Sequence, residues 1–258
     1  MQHPPSLRSR APHAEHRIEV QVSLCEPHWT RRILSVHRET VNTWSHMLGC
    51  VVCLVLCAAH FGQNRVMHAD TVIIGGYLLS AAAMLALSAA YHAQCATLAH
   101  DFFGISVFVA YSQAASVHYA FYCNPAAYVG YLIAVAGLFT ACMCMCRSST
   151  LRQSRRFALV AAFGAVPLVH HLIVLRSTDV ALQHAACAVY LRAIAWYGVG
   201  FVFFATKFPE RARPGSFEIV GSSHQWWHMC VLGGALEFLH ALQMSALAIE
   251  RTCAATPP

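Results

Sequence analysis

Charge is what this sequence has least of. Lysine, arginine, aspartate and glutamate make up 11% of its 258 residues, where a soluble domain carries about 25%. So few charges cannot cover a water-facing surface, which excludes a soluble globular protein. Acidic residues are the scarcer kind, 11 against 17 basic ones, for a net charge of +6. The basic residues sit in short clusters beside apolar runs, so no nucleic-acid partner is expected. An apolar h-region is missing from the first residues, which are polar, basic and proline-containing, so no cleavable signal peptide is expected. No repeat of 20 to 50 residues stands out, which argues against a solenoid.

Apolar residues are abundant at 57%. They gather into seven runs, at about 44–61, 71–91, 102–122, 126–146, 157–175, 180–206 and 224–249. Each is long enough to cross the ~30 Å hydrocarbon core of a bilayer as a helix. The expected fold is therefore all-α, a seven-transmembrane bundle over residues 39–250, with a polar, partly disordered tail at 1–38 and a short tail at 251–258. Residues 20–24 are expected to start an interfacial segment. Thirteen of the seventeen Lys and Arg residues fall in the tail and alternate loops if the amino terminus is cytosolic. That asymmetry predicts amino terminus inside, carboxyl terminus outside. The twelve cysteines lie mostly within apolar runs, where they read as small buried hydrophobes rather than a disulfide framework.

Against this apolar background the polar residues can be placed by depth. His224 and His228 open the last run, and at i, i+4 on a helix they share one face. His92 closes the second run and Asp101 opens the third, all at the predicted cytosolic level, with Ser88 one turn deeper than His92. Three imidazoles with an open fourth position would suit catalytic zinc, which lowers the pKa of a water. Asp101 would then orient that water or act as base, and Ser88 would hold a supporting hydrogen bond or polarise a carbonyl. The competing reading makes the three histidines interfacial residues bonded to lipid headgroups. Glu39 and Asn42, just before the first run, read as helix-capping residues. Pro167 reads as a kink in the fifth run, and Gly233-Gly234 as a site of close helix packing.

Several blocks resemble the progestin and adipoQ receptor family, which includes the hemolysin III-like proteins. Residues 37–49, HRETVNTWSHMLG, resemble its HNETVNIWTHLLG. Residues 88–92, SAAYH, with 101–105, DFFGI, resemble SxxxH…DYxGI. Residues 208–218, FPERARPGSFE, resemble IPERxxPGxFD and lead into SHQWWH at 223–228, similar to SHQxxH. The block from Arg155 to His171 is closer to the adiponectin-receptor branch. The resemblance implies zinc on His92, His224 and His228, with Asp101 acting through a water there and Ser88 close by. It further implies weak hydrolysis of a lipid amide such as ceramide, a lipid or sphingolipid substrate, and a hormone as ligand. The alternative is a non-catalytic receptor for a steroid or protein hormone, with zinc stapling helices. Arg38 for Asn, Phe102 for Tyr, Glu218 for Asp and a short 92–101 connection depart from the pattern. A heterotrimeric G-protein-coupled receptor fits poorly, since the orientation is inverted and no Asp-Arg-Tyr-like triplet follows the third run.

Two further charges stand apart from these motifs. Arg192 in the sixth run and Glu237 in the seventh lie at matching depth, roughly 20 Å from the predicted cytosolic face at 1.5 Å per residue. Adjacent antiparallel helices at equal depth predict a buried ion pair. A variant places Arg192 in the bundle cavity against a fatty-acid carboxylate.

Overall fold

The computed structural model describes residues 33–63, 68–144, 160–174 and 180–248. The interfacial segment expected at 20–24, most of the amino-terminal tail, the basic cluster at 147–156 and the tail at 251–258 lie outside the described residues. Among the described residues seven helices follow one another: α1 (Thr40–Gln63), α2 (Ala69–His92), α3 (Leu98–Ala120), α4 (Pro125–Cys144), α5 (Ala165–Val174), α6 (Val180–Thr206) and α7 (Ser223–Ala248). Among the described residues no strand occurs. Away from its ends a helix satisfies its backbone N–H and C=O groups internally, which is what a chain in hydrocarbon requires.

Five of these helices, α1, α2, α4, α6 and the full α7, are long and apolar enough to cross a membrane. The third run becomes α3, long enough at 23 residues but more polar than those five. Its serine hydroxyls are satisfied along its own axis: Ser106 donates to the Phe102 carbonyl at 2.8 Å, Ser112 to Phe108 at 2.7 Å and Ser116 to Ser112 at 3.0 Å. This back-bonding lets a serine-rich helix sit inside a bundle. The fifth run is broken at Gly164, whose N–H turns back to the Ala161 carbonyl at 3.1 Å. Pro167 therefore falls in the first turn of α5 rather than kinking a continuous helix.

α2 is the central element. It packs against α1, α3 and α7, while α7 touches α1, α2, α3 and α6. Tyr77 ties the centre together, 1% exposed, donating to the Ala235 carbonyl at 2.7 Å and packing on Phe108 and Phe238. Glycines admit the large side chains: a Cβ on Gly75 or Gly76 would strike Phe61 or Tyr111, and Gly233 and Gly234 face Trp196 and Tyr197. The cysteine reading holds for Cys53, Cys57, Cys187 and Cys230, which are free and buried. Cys123, between α3 and α4, departs from it and is disulfide-bonded.

Two loop structures set the site. α2 stops in a turn in which Cys95 N–H bonds the Ala90 carbonyl at 2.8 Å and Gln94 takes a left-handed φ of 62°, the pattern of a Schellman stop. Thr97 then caps α3 reciprocally with His100. This tight reversal is how the short connection brings Asp101 beside the end of α2. At the start of α7 the Glu210 carboxylate accepts from the Ser223 N–H at 2.7 Å and from its hydroxyl. That caps the orphan N–H groups and sets a negative charge on the positive helix end. Burial alone would raise the Glu210 pKa, but these bonds from Ser223 hold it below its usual value.

Candidate metal centre

The i, i+4 spacing on α7 turns His224 and His228 to one side, their ring centroids 4.6 Å apart. The last residue of α2, His92, meets them with centroid distances of 5.0 and 4.8 Å. His92 Nε2 and His224 Nε2 are 3.2 Å apart, and one ring nitrogen from each of the three lies within 4.8 Å of the others. A donor set of three convergent imidazoles can hold a metal ion.

The outward nitrogens are held as metal ligands require. His92 Nδ1 lies 2.8 Å from the Glu39 carboxylate, and His228 Nδ1 lies 3.2 Å from the Ser45 hydroxyl. A hydrogen bond at Nδ1 fixes the tautomer and leaves Nε2 free to ligate. Glu39 also accepts from the Asn42 amide at 2.7 Å. The hydrogen bond with His92 is the main reason its carboxyl is lowered to about 2, against the opposing effect of burial. Glu39 is thus more than the cap expected at a helix start: it supports a histidine 53 residues away.

Asp101 and Ser88 complete the group. The Ser88 hydroxyl is within hydrogen-bonding reach of the Asp101 carboxylate, and Asp101 Oδ1 is buried with no protein partner. A buried, unmatched carboxylate oxygen beside a histidine cluster is unstable without a water or an ion. His46 adds a further orphan. It stacks on His228 at 3.5 Å, nearly parallel, and both of its ring nitrogens are buried without partners. The residues present therefore fit a metal with attendant water.

The cluster opens onto a cavity of about 1150 Å³, larger than the ~300–1,000 Å³ of ordinary small-ligand pockets. Glu39, His92 and Asp101 line one end, and Tyr122, His171 and Ser245 line the other. Arg38 and Glu218, two of the departures from the family pattern, form an ion pair of 2.8 Å at the metal end of this cavity. The charge that Arg38 adds is thus met by the acidic side chain at 218. Arg192 and Glu237 are a partial correction. They pair as expected, with Arg192 Nη2 to Glu237 Oε2 at 3.2 Å, but neither lines the cavity. The Arg192 side chain is 52% exposed, so the pair faces outward rather than being buried.

The profile of the haemolysin-III related family matches residues 34–239. Progestin and adipoQ receptor-like protein 1 of Caenorhabditis elegans is 27% identical over 238 residues, covering 86% of this chain and 54% of that protein. The adiponectin receptor protein of Drosophila melanogaster is 26% identical over 235 residues, covering 84% and 52%. Heptahelical transmembrane protein 1 of Arabidopsis thaliana is 30% identical over 233 residues, covering 79% and 68%. The chain spans about half the length of the first two relatives.

Proposed function

This chain belongs to the haemolysin-III related family as an adiponectin-receptor-like, multi-pass integral membrane protein, and we propose that it hydrolyses a lipid amide of the ceramide type with zinc as cofactor. The observation that carries this reading is the convergence of His92, His224 and His228 at the end of a largely apolar cavity that Asp101 also lines. A metal that only stapled α2 to α7 would need neither the carboxylate nor the cavity.

Zinc bound there would supply a Lewis acid that brings the pKa of a water towards ~7. The protein supplies the rest. His92, held by Glu39, and His228, held by Ser45, present Nε2 inward. Asp101 uses its unpartnered oxygen to accept the proton of the attacking water, then returns it to the amine as the carbon–nitrogen bond breaks. Ser88 keeps the carboxylate turned to the reacting atoms, and the apolar walls take the acyl chain and limit bulk water. The products are a fatty acid and a sphingoid-type amine.

Asp101→Asn tests the assignment. Turnover of ceramide in purified protein is expected to fall by roughly 10²-fold or more, the low end of general acid–base effects, with zinc content unchanged by elemental analysis. Unaltered turnover would sink the catalytic reading. Lost zinc would make Asp101 a ligand instead.

The support from Glu39 has its own readout. Glu39→Ala should weaken zinc roughly 10–100-fold in competition with a calibrated chelator, as expected for an outer-shell partner. Glu39→Gln, which can still accept from Nδ1, should lose much less. Equal losses in both would mean that the hydrogen bond to His92 is not what matters.

A further inference from the structure

Beside the metal centre, the first turns of α1 leave hydrogen-bonding capacity unused. Asn42 and His46 are each only 4% exposed, and Asn42 Oδ1 and both ring nitrogens of His46 have no hydrogen-bond partner in the protein. At i, i+4 the two side chains share one face of the helix, and both line the cavity, as His92 and Asp101 do. Glu39 fixes the orientation of Asn42. The amide nitrogen donates to the Glu39 carboxylate at 2.7 Å, which leaves Oδ1 as the free end, an acceptor. His46 is not a fourth ligand. Among the described residues the convergent set is His92, His224 and His228. The His46 ring lies flat on that of His228, 3.5 Å away and 10° from parallel. An imidazole holds a metal in its own ring plane, and one ion cannot lie in two stacked planes. The unused capacity is therefore two acceptors, Asn42 Oδ1 and one His46 nitrogen, and one donor, the N–H of the neutral imidazole.

We propose, building on the lipid-amide reading above, that Asn42 and His46 form a subsite for a diol on the amine side of the substrate. Buried polar groups are costly unless water or a ligand meets them. A diol meets this set in full. Its two O–H groups donate to Asn42 Oδ1 and to the bare His46 nitrogen, and one of its oxygens accepts from the His46 N–H. A single hydroxyl leaves one acceptor unmet, and a hydrocarbon tail leaves all three groups unmet. Position assigns the diol to the amine rather than to the acid. The largely apolar cavity runs from the metal end to Tyr122 and His171, and that length suits the acyl chain. Asn42 and His46 sit in the first two turns of α1, beside the scissile bond. Water can hold the subsite before substrate arrives, and the diol replaces it with equivalent hydrogen bonds. The class so selected is an N-acyl amino diol, in preference to amides of plain alkyl amines.

Equilibrium binding to the purified full-length protein tests this with ketone analogues of a short-chain ceramide, in which a methylene replaces the amide nitrogen so that nothing is cleaved. One analogue keeps both hydroxyls and the other carries hydrogen in their place. Affinities are corrected for the partition of each into detergent. Wild type is expected to prefer the diol by roughly 10-fold, the effect of hydrogen bonds left unmade at a subsite that water can refill. His46→Phe keeps a ring against His228 but has no ring nitrogen. It should bring the preference to about 3-fold or less, with zinc content unchanged. If that variant loses zinc, Asn42→Ala takes its place with the same expectation, and the comparison of analogues on wild type needs neither. Equal binding of both analogues by wild type overturns the subsite and leaves the lipid-amide reading standing. A preference that persists undiminished in a zinc-loaded variant overturns the assignment to these residues. Binding of neither analogue removes the lipid-amide reading and the subsite with it.

Discussion

His228→Ala is expected to strip the protein of its metal and most of its thermal stability together. His228 is 2% exposed and contributes one of three convergent ring nitrogens. Its ring also stacks on His46 at 3.5 Å and lies 3.2 Å from the Ser45 hydroxyl. Removing it leaves two of the three imidazoles, a void against His46 and a Ser45 hydroxyl that keeps only its bond to the Asn42 carbonyl. The loss in affinity should exceed the roughly 10–100-fold that follows loss of an outer-shell partner. Because a metal site rarely survives unfolding, binding free energy appears as folding free energy. Chelated wild type and His228→Ala should therefore melt at similarly lowered temperatures, both below metal-loaded wild type. His118→Ala, at the distant end of α3, should retain the wild-type zinc content and provides the control. Retention of full zinc by His228→Ala would remove the metal centre from the account.

The convergence of the three histidines was legible because helix ends carry depth information. His92 closes one apolar run and His224 and His228 open another, so the order of residues alone puts three imidazoles at one level. What supports them was less legible. Glu39 stands one residue before α1, where a carboxylate reads as a cap, yet its oxygen is 2.8 Å from His92 Nδ1. An acidic side chain at the same depth as three histidines is the signal that would have found it. Ser45 and His46 lie in the same motif block without any local pattern to reveal their contacts with His228. Arg38 and Glu218 each look like an isolated departure. Only the fold shows that they neutralise one another across the cavity mouth.

The charge pair on α6 and α7 shows where sequence reasoning loses information. Matched depth correctly paired Arg192 with Glu237, but depth says nothing about direction around the helix. In water an amphipathic stripe marks the inner face. In a bilayer lipid is as apolar as the core, so packed and lipid-facing sides have similar composition. Small residues at close crossings carry the directional information instead. The Gly233-Gly234 pair does this on α7, and it was recognisable as a packing site because aliphatic side chains are the rule around it.

Gly234→Val is accordingly expected to be among the most damaging single changes away from the metal. A Cβ at this position would lie 2.6, 2.8 and 2.9 Å from Cε1, Cζ and Cδ1 of Tyr197, against about 3.5 Å for relaxed carbon contact. The ring cannot swing aside cheaply. Its hydroxyl is within hydrogen-bonding reach of Tyr77, and Tyr77 is itself fixed by its 2.7 Å bond to Ala235, the residue beside the substitution. Accommodation therefore requires α6 and α7 to separate. Overpacking usually costs about 1–3 kcal/mol; alanine should fall in that range and valine at or above its top. The same separation tilts the helix that carries His224 and His228, so zinc affinity should fall along with melting temperature. Gly137→Ala supplies the contrast. That glycine lies on α4 with nothing within 4 Å of its would-be Cβ, and alanine is the better helix former by ~1 kcal/mol. Thermal unfolding of the purified variants should rank Gly137→Ala at or above wild type, Gly234→Ala below it and Gly234→Val lowest. A Gly234→Val protein that melts with wild type and binds zinc normally would show that this crossing does not position the metal centre.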